Sequence, residues 1–179
     1  MLLPDLHLDL ETDAGVFSPS RLDAGTRLLL DVAATPVGTG DLLDLGAGYG
    51  PIALVLAARA PGATVWAVDV NERALDLCAR NAERAGLGNV RCALPDDPAL
   101  PATFAGMWSN PPIRAGKAAL HSLLTDWLPR VAGPSYLVVS KNLGSDSLAR
   151  WLGGQGYTVA RVSSNAGFRV LEVRSAGGE

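Results

Sequence analysis

Glycines at positions 46, 48 and 50 close an apolar run, residues 41–46, and Pro51 with a second apolar run, residues 52–59, comes at once after them. Without a Cβ, glycines at that spacing let a strand bend sharply into a helix, and proline suits the first helical position, where its missing N–H is no loss. A strand that turns directly into a helix opens a β-α-β unit, so an α/β fold with a mostly parallel sheet and helices on both faces is expected.

The rest of the sequence keeps that rhythm. Strands are expected over residues 63–69, 89–93, 104–109 and 135–141. Between them, Asn71 caps a helix that carries Ala74, Leu75, Cys78, Ala82 and Ala85 on one face and stops at Gly86. Further helices are expected over residues 26–32, 116–131 and 145–152. Two β-rich runs end the chain, residues 157–163 and 168–174, and the Ser164-Asn165-Ala166-Gly167 between them suits a hairpin. The last strand is then antiparallel. At the amino end Leu6, Leu8 and Leu10 alternate with polar residues, and Asp13-Ala14-Gly15 can return the chain into Val16-Phe17, predicting a small hairpin.

A chain of 179 residues, 48% hydrophobic, is long enough for one good core and short for two. A single domain is expected, with a hairpin and lid-like segment over residues 1–38 and a core over residues 39–179. Met1-Leu2-Leu3-Pro4-Asp5 carries no basic start, and no stretch approaches the roughly 20 apolar residues of a membrane span, so a soluble, cytoplasmic protein is expected. Cys78 and Cys92 read as core packing, and no metal site is expected. A net charge of −3 argues against coating nucleic acid by bulk electrostatics but allows a local basic patch.

Two features carry chemistry. At the glycine turn, Gly46, Ala47, Gly48 and Gly50 would line a cofactor, with the free N–H groups of the following helix beneath it. The spacing is Gly-x-Gly-x-Gly, unlike the dinucleotide fingerprint, and Asp44 precedes it where a pyrophosphate would be repelled. A cation is welcome there, which points to S-adenosylmethionine, its ammonium group near Asp44. Asp69, nineteen residues after Gly50, can accept the ribose hydroxyls, with Val70 beside it, and Asp96 or Asp97 could accept the adenine amine.

The second feature is Asn110-Pro111-Pro112-Ile113, about sixty residues further on. Two prolines fix φ and remove two donors, leaving a rigid set of acceptors. The Asn110 side-chain oxygen and a nearby carbonyl can take the hydrogens of an –NH₂ group and aim its lone pair at a methyl carbon. Asn-Pro is also an ordinary turn signal, and the upstream glycine turn and Asp69 are what lift it above that. Arg114, Lys117 and Lys141 read either as phosphate contacts or as solvated surface. Ser18, Asp23 and Thr26 either close over the cofactor or serve as simple turns and caps.

In this order the residues resemble the class I S-adenosylmethionine-dependent methyltransferases, and more narrowly the small catalytic domain of RsmC-type ribosomal RNA guanine-N2 methyltransferases. The narrower likeness rests on Gly15-Val16-Phe17-Ser18, Leu22-Asp23-Ala24-Gly25-Thr26, the Asp44 to Gly50 turn, Ser109-Asn110-Pro111-Pro112-Ile113-Arg114-Ala115-Gly116-Lys117, Lys141-Asn142-Leu143-Gly144 and Gly167-Phe168-Arg169-Val170-Leu171. The resemblance implies a Rossmann-like sheet of seven strands with the last antiparallel, S-adenosylmethionine at the glycine turn, Asn110 and Pro111 at the target amine, and Pro112 and Ile113 at the base. It implies RNA as the partner, with ribosomal RNA favoured and a homo-oligomer left open. Many relatives have an aromatic residue where this chain has Ile113, and an acidic one where it has Ala105. The longer ribosomal enzymes add an amino-terminal domain, so this domain is expected to find its RNA by itself, as part of an oligomer, or with a partner. Competing readings are N-methylation of a protein glutamine or small amine, and a catalytically silent cofactor-binding domain that contacts RNA.

Overall fold

A computed structural model describes residues 1–12, 22–36, 38–111 and 116–177. The described elements run α1 (Ala24–Val32), β1 (Asp41–Leu45), α2 (Pro51–Arg59), β2 (Thr64–Val68), α3 (Glu72–Arg84), β3 (Val90–Ala93), β4 (Gly106–Ser109), α4 (Lys117–Trp127), β5 (Ser135–Ser140), α5 (Ser145–Gly154), β6 (Tyr157–Asn165) and β7 (Phe168–Ser175). The strands form one seven-stranded sheet in the order β3-β2-β1-β4-β5-β7-β6. The pairs from β3 to β5 are parallel, and β7 lies antiparallel to both β5 and β6.

Both faces are covered along the central strands, which is why β1, β4 and β5 are buried almost throughout and read as apolar runs rather than as alternating ones, whereas the edge strand β6 is half-buried at best. Leu42, Val65, Trp108, Tyr136, Val138 and Val170 pack with residues of α1, α2 and α3 on one face. Their chain neighbours Leu43, Met107, Leu137, Val139 and Leu171 pack with α4 and α5 on the other. The β6-β7 hairpin closes through Ala166 and Gly167, with φ of 48° and 83°, the left-handed pair that a two-residue turn between twisted strands requires.

Several boundaries differ from the sequence expectation. The helix expected over residues 116–131 ends at Trp127, and Leu128–Arg130 tightens into a 3₁₀ turn around Pro129, which cannot donate to the α-helical ladder. That turn lets Val131 pair with Phe104 in an isolated bridge, so β4 proper begins at Gly106. Lys141, expected to end the fifth strand, instead starts the 3₁₀ turn Lys141–Leu143. At the amino end the alternating leucines do not extend as a strand among the described residues. Leu2 and His7 form a single antiparallel bridge around a turn, and Leu3 and Leu8 are buried against the α1-α2 core. The reversal expected at Asp13-Ala14-Gly15, and Val16, Phe17 and Ser18 with it, lie outside the described residues. No helix of the described residues is long and apolar enough to cross a membrane.

Candidate active site

The site gathers at the carboxyl edge of the sheet, where β1, β2 and β4 end side by side. Gly46 and Ala47 both donate their N–H to the Val68 carbonyl, at 2.8 and 3.1 Å, which pins the glycine turn to the end of β2. Gly46, Gly48 and Gly50 all have positive φ, at 77°, 56° and 94°. The last two are glycines for different reasons. A Cβ at Gly50 would overlap the Cys78 sulfur and stand 2.6 Å from Leu54 Cδ1, whereas a Cβ at Gly48 would meet nothing within 4 Å. Gly50 is therefore packed from below, and Gly48 borders open space above the turn.

Asp44 is fully buried in β1. Its Oδ2 accepts the Ala53 N–H of α2 at 2.8 Å, while Oδ1 has no partner. Burial pushes its pKa up to about 8, and the Asp69 charge adds to the rise. Asp69 follows β2 and is engaged with the backbone: Oδ2 accepts from Gly48 N at 2.8 Å and Oδ1 from Asn71 N at 2.9 Å. Each oxygen keeps a further lone pair for a ligand hydroxyl. Next to it Val70 is 81% exposed, an unusual amount for an aliphatic side chain beside a site. After β3, Asp96 is exposed, while Asp97 Oδ1 accepts the Ala99 N–H at 2.8 Å and so shapes its own loop.

Asn110 stands where β4 leaves the sheet. Ser109, buried, donates its hydroxyl to the Leu45 carbonyl at 2.6 Å and ties the end of β4 to the glycine turn. The Asn110 Nδ2 group donates to Asp23 Oδ2 and to Thr26 Oγ1, both at 2.9 Å. Asp23 Oδ2 also accepts the Thr26 N–H at 3.0 Å and caps α1. Pro111 is buried. Pro112, Ile113 and Arg114 lie outside the described residues. Lys117 is the first residue of α4 and packs near Gly144, where a Cβ would lie 3.3 Å from its Cε. Lys141 is exposed, its N–H bonded to the Gly167 carbonyl at 2.8 Å. Arg169, on β7, is paired with Asp146 and donates to Ser145 Oγ at 3.0 Å.

Sequence reasoning missed Asn81. It is fully buried on α3, its Oδ1 accepts from Glu11 N at 2.7 Å, and its Nδ2 donates to the carbonyls of Glu11 and Tyr49 at 3.0 and 3.1 Å. One carboxamide thus joins the amino-terminal segment to the glycine turn. The signal was present: Asn81 is a polar residue among the apolar positions Cys78, Ala82 and Ala85 of an amphipathic helix. Tyr49, between Gly48 and Gly50, is buried, and its pKa is raised by that burial and then by the Asp23 charge. His121 stacks flat on Trp151, ring centroids 3.9 Å apart, in a half-buried packing contact between α4 and α5. Among the described residues no group of His, Cys, Asp and Glu could hold a metal ion.

The unpartnered Asp44 Oδ1, the neighbouring Asp69 and the open space above Gly48 suit a ligand that carries positive charge, the reverse of what a pyrophosphate needs. A family model, the methyltransferase small domain, matches residues 7–172. YbxB of Bacillus subtilis (strain 168), an uncharacterized protein, is 36% identical over 170 residues, covering 91% of this chain and 84% of that one. The ribosomal RNA small subunit methyltransferase C of Aeromonas hydrophila is 36% identical over 126 residues, covering 70% of this chain and 36% of its own length. Among solved structures, the 16S rRNA N2 methyltransferase RsmC of T. thermophilus, in complex with AdoMet and guanosine, superposes with a TM-score of 0.74 at 27% identity. It covers 90% of this chain, which spans 45% of that protein. The chain belongs to the methyltransferase small domain family, within the class I S-adenosylmethionine-dependent methyltransferases.

Proposed function

We propose that the protein methylates the exocyclic amine of a guanine in RNA, ribosomal RNA foremost. The state of the Asn110 carboxamide carries this reading. Both Nδ2 hydrogens are taken, by Asp23 and Thr26, so Oδ1 is the end left to accept a hydrogen from a substrate. An exocyclic amine is a weak nucleophile because its lone pair is delocalised into the ring. An acceptor that holds one of its hydrogens localises that pair and aims it, and Pro111 keeps the backbone acceptor beside it fixed. No base is needed beforehand, because the proton can leave after the methyl arrives.

S-adenosylmethionine, when bound, supplies a methyl group on a positively charged sulfur. On this reading Gly46, Ala47, Gly48 and Gly50 shape the cofactor cleft. Asp44 faces the ammonium end, Asp69 takes the ribose hydroxyls, Val70 packs on the adenine and Asp96 accepts its amine. Pro112 and Ile113 contact the target base, while Arg114, Lys117 and Lys141 meet phosphates. The AdoMet and guanosine held by the T. thermophilus relative support both halves of the assignment.

Transfer of tritium from labelled S-adenosylmethionine to total cellular RNA and to total protein tests the reading, with nucleoside mass spectrometry locating the methyl group. Label is expected in RNA, at guanine N2. Asn110→Ala should lower kcat by about 100-fold or more, the scale of losing a pre-organised hydrogen-bonding group, with cofactor affinity within about threefold. Unchanged turnover by that variant refutes the mechanism. Label in protein alone would move the assignment to a glutamine amide, whose –NH₂ fits the same acceptors.

A further inference from the structure

Asp23 and Thr26 precede Asn110 by 87 and 84 residues, yet their oxygens receive both hydrogens of its amide nitrogen. We propose that they are positioning residues that decide which end of the Asn110 carboxamide meets the substrate. This role rests on Asn110 being the acceptor of the target amine.

The two ends of a carboxamide are nearly the same size, so shape alone does not choose between them. Half a turn of the side chain would exchange oxygen for –NH₂ and present hydrogens to an amine that itself offers hydrogens. Here the choice is chemical. The Asp23 carboxylate accepts and does not donate, so it admits the nitrogen end and repels the oxygen end. Thr26 is 4% exposed, and its Oγ1 takes the second hydrogen. Asn110 Oδ1 is thereby fixed as a pure acceptor.

Surrounding packing holds this arrangement. Asp23 Oδ2 is shared with the Thr26 N–H as the cap of α1, so the carboxylate cannot swing away without uncapping the helix. Gly25 leaves room for it: a Cβ there would lie 3.0 Å from Asp23 Oδ2 and 3.0 Å from the Phe168 ring. The half-buried Phe168 therefore closes over the same cap from β7. The helix α1, packed against the sheet through Leu28, Leu29 and Leu30, also presents at its amino end the two oxygens that hold Asn110.

Capping and positioning separate by substitution. Asp23→Ser keeps an oxygen that caps α1, but its side chain is one bond too short to reach Asn110 as well. Thr26→Val removes Oγ1 at nearly constant shape, and Thr26→Ser restores it. On the full chain with RNA substrate, Asp23→Ser should lower kcat by about 10- to 100-fold, the range of a charge-assisted hydrogen bond, and Thr26→Val by about 3- to 10-fold, the range of a neutral one. KM for RNA and cofactor affinity should stay within about threefold, the melting temperature should hold, and Thr26→Ser should recover most of kcat. Independently of activity, the side-chain amide pair assigned to Asn110 by its absence in Asn110→Ala should exchange slowly in nitrogen-15 spectra. It should exchange faster in Asp23→Ser. A protected amide in the wild type with unchanged kcat in Asp23→Ser would overturn the positioning role while leaving the proposed function standing. An inactive wild type would fault the proposed function, and amide exchange unaffected by Asp23→Ser would then overturn this inference too.

Discussion

Asp44→Asn isolates the most costly side chain in the sheet. The carboxyl group is buried, one oxygen is bonded to Ala53 N and the other has no partner, and its pKa is pushed from 3.8 to about 8. A rise of about four pH units at about 1.4 kcal/mol per unit sets the penalty for ionising Asp44 in the apo fold at up to about 6 kcal/mol. The sign follows from linkage. The unfolded chain gives up this proton near pH 4 and the folded one near pH 8, so the group's share of stability is whole below pH 4 and is lost as pH rises toward 8. Asparagine keeps the acceptor for Ala53 and does not ionise. Urea unfolding of both proteins from pH 4 to 9, read by circular dichroism, should give a wild-type-minus-variant difference that falls by about 1.4 kcal/mol per pH unit between about pH 5 and 8, then levels. Groups common to both proteins cancel in that difference. A cation brought near Oδ1 would favour the ionised form, so S-adenosylmethionine binding at pH 7 should release about one proton from the wild type and none from Asp44→Asn. Calorimetry in buffers of different ionisation enthalpy measures this. A flat difference curve across pH 5 to 8 refutes the account of Asp44 as a desolvated acid.

The two glycines that differ in surroundings should differ in phenotype. Gly50→Ala drives a Cβ into Cys78 and Leu54 at a φ of 94° and should destabilise the fold by about 2–4 kcal/mol, whereas Gly48→Ala meets nothing and should cost about 1–2 kcal/mol while impairing cofactor binding. Equal stability losses in chemical denaturation would contradict that division. Asn81→Ala removes one buried and two part-buried hydrogen bonds and leaves Tyr49 O unsatisfied, so a loss of about 1–3 kcal/mol is expected. Faster amide exchange at Glu11 should accompany it, and protection equal to the wild type would show that the segment is anchored by other contacts.

The sheet was legible along the chain because strands covered on both faces carry apolar runs, while Gly86 and Gly153-Gly154 lie at the ends of α3 and α5 and Ala166-Gly167 makes the last turn. Its order was not readable from the residues themselves. The insertion of β7 between β5 and β6 is a set of pairings such as Val138 with Val170 and Val159 with Val173, set by the packing of both faces rather than by neighbours in sequence. Pro129 was visible, but whether a proline ends a helix or merely tightens it depends on what the next residues pair with, here Val131 with Phe104. The leucines near the amino end misled for a related reason. Alternation marks a strand only where a sheet edge receives it, and here Leu3 and Leu8 have a helical layer to pack on instead. Within the site, Asp44, Asp69 and Asn110 stood out because they sit at strand ends beside recognisable turns. The bond from Asn110 to Asp23 has no local signal, although the cap at Asp23 does.

Strand order, not chain order, gives the site its electrical layout. Along the carboxyl edge the sequence of strands is β2, β1, β4, β5, β7, which places Asp69 and Asp44 on one side of Asn110 and Lys141 and Arg169 on the other. The Asp69 charge adds to the rise that burial gives the Asp44 pKa, and a ligand with positive charge would relieve it. On the opposite flank Arg169 is paired with Asp146 and Lys141 is exposed, and Lys117 stands at the start of α4, where the helix dipole disfavours a cation and a bound anion would offset it. A dinucleotide would have to lay its phosphates across the acidic half. On the proposed function, a cationic methyl donor and a polyanionic acceptor would each meet the half of opposite sign and would meet each other at β4, where both Nδ2 hydrogens of the neutral Asn110 are taken by Asp23 and Thr26.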